Sequence, residues 1–220
     1  MHIFFDLDGT LTNPKTGIVA CIRHALAVLD VPIPPKADFE KWIGPPLQDS
    51  FLKLLQCPDL ATQAVILYRE RFATLGLFEN QVYEGIPEIL VSLSTGSDVL
   101  WVTTSKPQIF AQKIIQHFQL APFFAGVYGS ELDGTRAHKA DLLAYVIQET
   151  GVASEAVIMV GDRRHDVLGA KQNSIPAIGV TWGFGSATEL QDAGASILCH
   201  APWGLPQAIE TIRERDWIRR

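Results

Sequence analysis

Cysteine is scarce in this chain, with three among 220 residues, and the three lie far apart in the sequence. Cys21, Cys57 and Cys199 are odd in number, and their spacing matches neither a set of metal ligands nor a disulfide framework. Each is typical of a small buried hydrophobic residue. A chain without a disulfide framework is typical of a reducing compartment, so we expect a cytoplasmic protein.

Long apolar runs and clusters of basic residues are also missing. No apolar stretch approaches the ~20 residues of a membrane-spanning helix. The amino-terminal run of Ile3, Phe4 and Phe5 reaches Asp6 too soon for a signal peptide. A net charge of -6 without a basic run argues against nucleic-acid binding. We therefore expect neither nucleic acid nor a membrane as a partner, and the sequence leaves the choice between monomer and dimer open.

Short apolar runs do recur along the chain, and they alternate with helical patterns. The runs predict strands at 2–6, 99–103, 126–129, 157–161, 177–181 and 197–200. Helices are predicted between them, at 107–118, 139–149 and 167–171. This alternation predicts an α/β fold, a Rossmann-like parallel sheet core with helices on both faces.

One interval, residues 15–82, departs from this alternation. It contains no convincing strand, and helical periodicity occurs at 17–30, 47–56 and 60–75. We interpret it as an inserted all-helical cap subdomain, with residues 1–14 and 83–220 forming the α/β catalytic core. A helical insert directly after the first strand would lie over the carboxyl end of the sheet as a lid.

Two carboxylates, Asp6 and Asp8, directly follow the first apolar run. Side by side at the tip of a buried strand they would repel each other, unless a cation lies between them or one attacks while the other exchanges protons. The chain provides a comparison, because Leu-Asp-Gly-Thr occurs again at 132–135, with Ser130 in the place of Asp6. We interpret this second copy as an ordinary Asp-Gly turn.

Three further polar clusters follow predicted strands or begin helices. Thr104, Ser105 and Lys106 precede Pro107, which suits the first turn of a helix, and such a helix start is a plausible anion site. Lys139 begins another helix, a position more typical of a solvated surface lysine.

Asp162 and Asp166 follow the fourth predicted strand and add two carboxylates to the same edge. Oxygen ligands with little histidine or cysteine favour Mg²⁺. His165, between them, is a candidate metal ligand or base, although a surface or helix-capping role is the more ordinary one.

Together these clusters suit phosphoryl transfer, which needs charge neutralisation, in-line geometry and a proton donor for the leaving oxygen. Asp6 is the predicted nucleophile, and Asp8 is the predicted general acid and base. Thr104 and Lys139 are predicted to bind the anion. Asp162 and Asp166 are predicted to bind the metal.

The order and spacing of these motifs resemble haloacid dehalogenase superfamily phosphatases, most closely the phosphoglycolate-phosphatase-like branch with a helical cap. The resemblance implies that Asp6 attacks phosphorus and also binds Mg²⁺. Asp8 would protonate the leaving alcohol and then activate water, while its backbone carbonyl contacts the metal. Asp162 would bind Mg²⁺ directly, and Asp166 would act through water or from outside the ligand set.

The resemblance also assigns the phosphate-binding groups. Thr104 and Lys139 would hold phosphoryl oxygens, and Lys139 would offset the charge of Asp6. Ser105 stands where many relatives carry Asn, and its N–H would still face the phosphate. Gly44, Pro45 and Pro46 resemble the substrate-specificity loop of capped relatives, with a plain connector between helices as the alternative.

The expected substrate is a small phosphorylated metabolite, with phosphoglycolate favoured by the resemblance. Hydrolysis of a nucleoside monophosphate by a 5'-nucleotidase and sugar phosphomutase activity are the alternatives. An acid at Asp8 argues against dehalogenation, because a halide leaving group needs no proton. A non-catalytic relative is disfavoured because all four motifs are intact.

Overall fold

The computed structural model describes residues 1–218 as alternating strands and helices. The strands are β1 (His2–Phe5), β2 (Thr12–Asn13), β3 (Gln81–Val82), β4 (Val99–Pro107), β5 (Gly126–Ser130), β6 (Val157–Gly161), β7 (Ala177–Val180) and β8 (Ile197–Cys199). The helices are α1 (Lys15–Val28), α2 (Leu47–Leu55), α3 (Pro58–Arg71), α4 (Ile86–Ser94), α5 (Gln108–His117), α6 (Lys139–Thr150), α7 (Arg164–Gln172), α8 (Ala187–Ala193) and α9 (Leu205–Ile218). Among the helices of these residues, none combines the length and apolar character needed to cross a bilayer.

Six strands form one parallel sheet in the order β5-β4-β1-β6-β7-β8. β1 is central, and Phe5 pairs with Val102 on one side and with Val160 on the other. The predicted α/β fold is therefore confirmed. Because parallel strands end at a common edge, the residues that follow β1 and β6 lie beside the carboxyl-terminal half of β4.

Helices cover both faces of this sheet, which explains why β1 is apolar without alternation. Phe4 packs in a cluster with Leu142 of α6 and Val167 of α7. Ile3 and Phe5 point to the opposite face and join a second cluster, to which α4, α5 and α9 contribute. Successive side chains of a strand point to opposite faces, and here both faces are dry.

The helices α1, α2 and α3 lie between β2 and β3, in the interval predicted as the cap. Residues 14–80 are all described and contain no strand. β2 and β3 pair antiparallel, with Thr12 opposite Val82. We call residues 15–82 the cap, and we propose that this short ribbon is the hinge that joins it to the core.

Two predicted boundaries were wrong, and both corrections concern the site. Pro107 does not lie in the first turn of a helix; β4 continues to it after a register shift, and α5 begins at Gln108. α7 begins at Arg164, three residues earlier than predicted, so that Asp166 lies in its first turn. Asp166 Oδ2 accepts a hydrogen bond from the Arg163 amide at 3.1 Å, which fixes the start of the helix.

Candidate active site

Lys139 is buried at the start of α6, and it contacts acceptors from three elements of the core. Its Nζ lies 2.8 Å from Asp6 Oδ1 and 2.8 Å from Asp166 Oδ1, and it donates to the Thr103 carbonyl oxygen at 2.8 Å. Gly169 on α7 makes this burial possible, since a Cβ there would lie 2.8 Å from Lys139 Cγ. Burial opposes the charged lysine, but Asp166 and Asp6 outweigh it and raise the pKa of Lys139. Lys139 is therefore an internal cation and not a solvated surface residue.

Asp6, Asp162 and Asp166 form a buried carboxylate cluster beside this lysine. Each offers an oxygen, and these atoms all lie within 4.8 Å of one another. Asp162 Oδ2 accepts from the Phe184 amide at 2.7 Å, and Asp162 Oδ1 accepts from Thr10 Oγ1 at 3.4 Å. Burial, followed by the charges of neighbouring carboxylates, raises the pKa of Asp162, and burial also raises that of Asp6.

This donor set fits a divalent cation. Lys139 pairs with Asp6 and Asp166, so the three buried carboxylates have one cation between them and an excess of acidic groups. Oxygen ligands of this kind suit Mg²⁺. Gly9 and Gly183 line the cluster, because a Cβ on either would lie 2.2 or 2.4 Å from Asp162 Oδ2. Only glycine fits so close to that carboxylate.

The carboxylate of Asp8 is held by a different lysine, Lys106. Lys106 Nζ lies 2.5 Å from Asp8 Oδ2, and it also lies 4.6 Å from the centre of the Phe72 ring in the cap. Asp8 Oδ1 is buried without a hydrogen-bond partner among the described residues. Burial raises the pKa of Asp8, and Lys106 opposes this shift. An unpaired buried acceptor is costly, so Oδ1 is the oxygen left for a ligand.

The predicted phosphate-binding residues lie beside Asp6, at the end of β4. Thr104 is buried and its Oγ1 accepts a hydrogen bond from the Lys106 amide at 3.2 Å. The carbonyl of Ser105 accepts from Ser130 Oγ at 2.9 Å, which ties β4 to β5. Both residues line the same cavity as Asp6 and Asp8.

That cavity, with a volume of about 130 Å³, lies between the carboxyl edge of the sheet and the cap. Gly44, Pro45 and Pro46 line it, and Gly44 has a positive φ of 107°. The core holds this loop directly, because Arg163 Nη1 donates to the Ile43 carbonyl oxygen. The cap also supplies an aromatic wall, which continues into the core and consists of Trp42, Tyr68, Phe72 and Phe110.

Some contacts of this site could not be predicted from the sequence. The pairing of Lys106 with Asp8 joins two motifs that the sequence presents separately. The sequence did not indicate a role for Tyr68 in the site, because its position in the helical pattern predicts only that it faces the core. His165 lines the cavity, and burial lowers its pKa.

Comparisons with known proteins identify the family and agree with the fold. A family profile described as haloacid dehalogenase-like hydrolase matches residues 3–180. A protein of Pseudomonas aeruginosa named 5'-nucleotidase is 44% identical over 211 residues, covering 96% of each chain. A phosphoglycolate phosphatase of Caulobacter vibrioides is 27% identical over 220 residues, covering 96% of this chain and 91% of that protein.

A solved structure from Clostridium acetobutylicum, described as a predicted phosphatase, superimposes with a TM-score of 0.91 at 40% identity. The match covers 96% of this chain and 98% of that one. The profile match spans most of the sequence, and it includes the strands that carry Asp6, Thr104 and Asp162. The chain belongs to the haloacid dehalogenase-like hydrolase family, and within it to the phosphoric monoester hydrolases.

Proposed function

We propose that this enzyme hydrolyses nucleoside 5'-monophosphates with Mg²⁺ through an aspartyl-phosphate on Asp6. One observation carries the covalent mechanism: the carboxylate of Asp6 is buried at the tip of the central strand and held by Lys139 at 2.8 Å. A lysine at this distance favours the ionised, nucleophilic form of the carboxylate and offsets part of the effect of burial, which raises the pKa of Asp6.

In the first step, a carboxylate oxygen of Asp6 attacks phosphorus while the bond from phosphorus to the ester oxygen breaks. Asp8 gives its proton to that leaving oxygen. The unpaired Oδ1 of Asp8 is the atom for this transfer, because Lys106 occupies Oδ2.

In the second step, Asp8 removes a proton from water, and the water oxygen attacks the phosphorus of the aspartyl-phosphate. The bond from phosphorus to Asp6 breaks, which regenerates the carboxylate and yields inorganic phosphate. Thr104, Ser105 and Lys139 bind the phosphoryl oxygens during both steps. Asp6, Asp162 and the Asp8 carbonyl would hold Mg²⁺, which when bound neutralises charge on the phosphoryl group.

Two observations favour a nucleotide as the substrate. The 5'-nucleotidase relative is 44% identical, against 27% for the phosphoglycolate phosphatase, and the cavity has a wall of aromatic side chains. Such a wall suits a leaving group with a large apolar or aromatic surface, as a nucleoside has. The leaving group of phosphoglycolate, a two-carbon acid, would contact little of this wall.

Phosphoglycolate, which the sequence analysis favoured, is the second candidate because of Arg69. Arg69 lines the cavity, and its hydrogen bond goes to the neutral carbonyl oxygen of Leu132 at 2.7 Å. No acidic partner of Arg69 is found in the part of the chain that the structure describes. A substrate carboxylate could pair with this guanidinium.

Phosphate release from a panel of phosphomonoesters, with Mg²⁺ and with a chelator, tests the proposal. The panel contains AMP, other nucleoside monophosphates, phosphoglycolate, sugar phosphates and p-nitrophenyl phosphate. We expect metal-dependent release with nucleoside monophosphates as the best substrates. Preference for phosphoglycolate, with that preference lost in Arg69→Gln, would establish the second candidate. Isomerisation of a sugar phosphate with little release would identify a mutase.

A further inference from the structure

Tyr68, on α3 of the cap, has a hydroxyl that the protein leaves without a partner. The residue is 7% exposed and lines the active-site cavity. No hydrogen bond to its hydroxyl occurs within the part of the chain that the structure describes. The residue is mostly buried, but its hydroxyl is not among the fully buried unpaired atoms, so it is accessible from the cavity, where a ligand can supply its hydrogen-bond partner.

The ring of Tyr68 is held in place by Phe72, another residue of the cavity lining. It stacks on Phe72 with ring centres 5.4 Å apart and an angle of 12° between the rings. The Phe72 ring in turn packs against Lys106 Nζ, which is paired with the carboxylate of Asp8. A row of contacts therefore runs from Tyr68 to the proposed proton donor.

The charges in this corner favour a neutral partner for the hydroxyl. Burial first, and then the nearby charges of Cys21 and Asp8, raise the pKa of Tyr68 further above neutrality, so the phenol stays protonated. Lys106 is already occupied by Asp8 at 2.5 Å. A carboxylate bound to this hydroxyl would meet the charge of Asp8, because Lys106 is paired with Asp8 and Arg69 already donates to the Leu132 carbonyl oxygen. An alcohol carries no charge and can both donate to and accept from a phenol.

We propose that Tyr68 determines specificity by hydrogen-bonding a sugar hydroxyl of the leaving group, so that ribose esters are preferred over esters without such a hydroxyl. This inference rests on the proposed function and extends it, because it names the part of the substrate that the cap reads. It assigns the choice of leaving group to the cap and leaves phosphoryl transfer to the core.

The test compares wild-type enzyme with Tyr68→Phe on three substrates: AMP, 2',3'-dideoxy AMP and p-nitrophenyl phosphate. Phenylalanine keeps the stack on Phe72 and removes only the hydroxyl. We expect kcat/KM for AMP to fall about 5- to 10-fold, as for loss of one neutral hydrogen bond. The other two substrates lack the sugar hydroxyls and should lose less than about 2-fold by the same argument. The matched control is Tyr145→Phe, a tyrosine outside the cavity lining, which should leave all three values unchanged.

A second measurement compares two substrates on the same enzyme. Wild-type enzyme should hydrolyse AMP about 5- to 10-fold better than 2',3'-dideoxy AMP, and this difference should vanish in Tyr68→Phe. Equal losses on all three substrates, or none on AMP, would overturn the role of Tyr68 while leaving nucleotide hydrolysis intact. Failure of the wild-type enzyme to release phosphate from AMP, with Mg²⁺ present, would overturn the proposed function and this inference with it.

Discussion

Two buried lysines, Lys139 and Lys106, each neutralise aspartates of the site, but their surroundings differ. Lys139 contacts two carboxylates and a carbonyl oxygen, and all three belong to the core. Lys106 contacts one carboxylate, that of Asp8, and otherwise packs on the ring of a cap residue, Phe72. The proposed nucleophile, Asp6, is therefore held by the core alone, whereas the proposed proton donor, Asp8, is paired with a lysine that also contacts the cap.

This difference separates the two tasks of the enzyme. The contacts that hold Asp6 and the carboxylate cluster come from the core and do not involve the cap. The surroundings of Asp8 are completed only when Phe72 lies over Lys106, and Tyr68 is stacked on that same ring. Substitution of Lys139 or of the aspartates near it should abolish phosphate release. Substitution of Lys106 or of the residues near it should alter the rate, pH dependence and selectivity of phosphate release.

The largest effect is expected for Asp6→Asn, which removes the nucleophile. Phosphate release should fall by about 10⁴-fold or more, because no covalent intermediate can form. The fold should persist, since the amide is nearly the same size as the carboxylate. The matched control is Asp133→Asn, in the second Leu-Asp-Gly-Thr copy, which should retain wild-type activity. Substantial turnover by the Asp6 variant would rule out the covalent route.

Lys139→Met should be the next most harmful change. It leaves Asp6 and Asp166 buried without their cation, and removing one partner of a buried pair costs about 3–5 kcal/mol of unfolding free energy. Denaturant unfolding of the metal-free protein measures this loss, and activity should fall about 10²- to 10³-fold. The exposed Lys113→Met should change neither quantity. A Lys139 variant as stable as wild type would contradict the pairing.

Lys106→Met should cost less, about 10- to 100-fold in kcat, because it removes one charged hydrogen bond and leaves the Asp6 end intact. Lys106 lowers the pKa of Asp8, so its removal should raise that pKa further. Asp8 must be deprotonated to activate water, and the acid limb of the pH–rate profile should therefore move to higher pH. Lys106→Arg should restore most of the rate, and an unmoved acid limb would refute this role.

The smallest expected effect is the change in thermal stability when Mg²⁺ binds. Mg²⁺ at 100 times its dissociation constant should add about 2.7 kcal/mol of stability and raise the melting temperature of the wild-type protein. Asp162→Asn should melt no lower than wild type without metal, because it removes a charge from a crowded carboxylate cluster. It should also lose the response to Mg²⁺, and a retained shift would show that Asp162 does not bind the metal.

The two Leu-Asp-Gly-Thr copies show how much of this site the sequence could predict. Asp8 is buried in the site, whereas Asp133 lies in an exposed turn and accepts a hydrogen bond from the Thr135 amide at 2.8 Å. The two copies could be told apart by the residues that precede them. An apolar run and Asp6 precede the first copy, whereas Ser130 precedes the second. Strand context was therefore sufficient to distinguish the buried acidic pair from the exposed turn.

Other features depend on tertiary contacts that no local pattern encodes. The burial of Lys139 requires close approach of α7 at Gly169, and a lysine at a helix start is ordinarily solvated. Helical periodicity placed Tyr68 on an apolar face but could not show that this face borders a cavity. The pairing of Lys106 with Asp8 likewise appears only once β1 and β4 lie side by side.

The central claim is that phosphate passes through Asp6, and trapping the intermediate tests it most directly. Asp8→Asn removes the base for the second step, while an aryl phosphate with a good leaving group needs little help from an acid in the first. Mass spectrometry of this variant with p-nitrophenyl phosphate and Mg²⁺ should show one added phosphoryl group, and peptide mapping should place it on Asp6. A phosphoryl group on another residue, or none despite burst release of nitrophenol, would contradict the account.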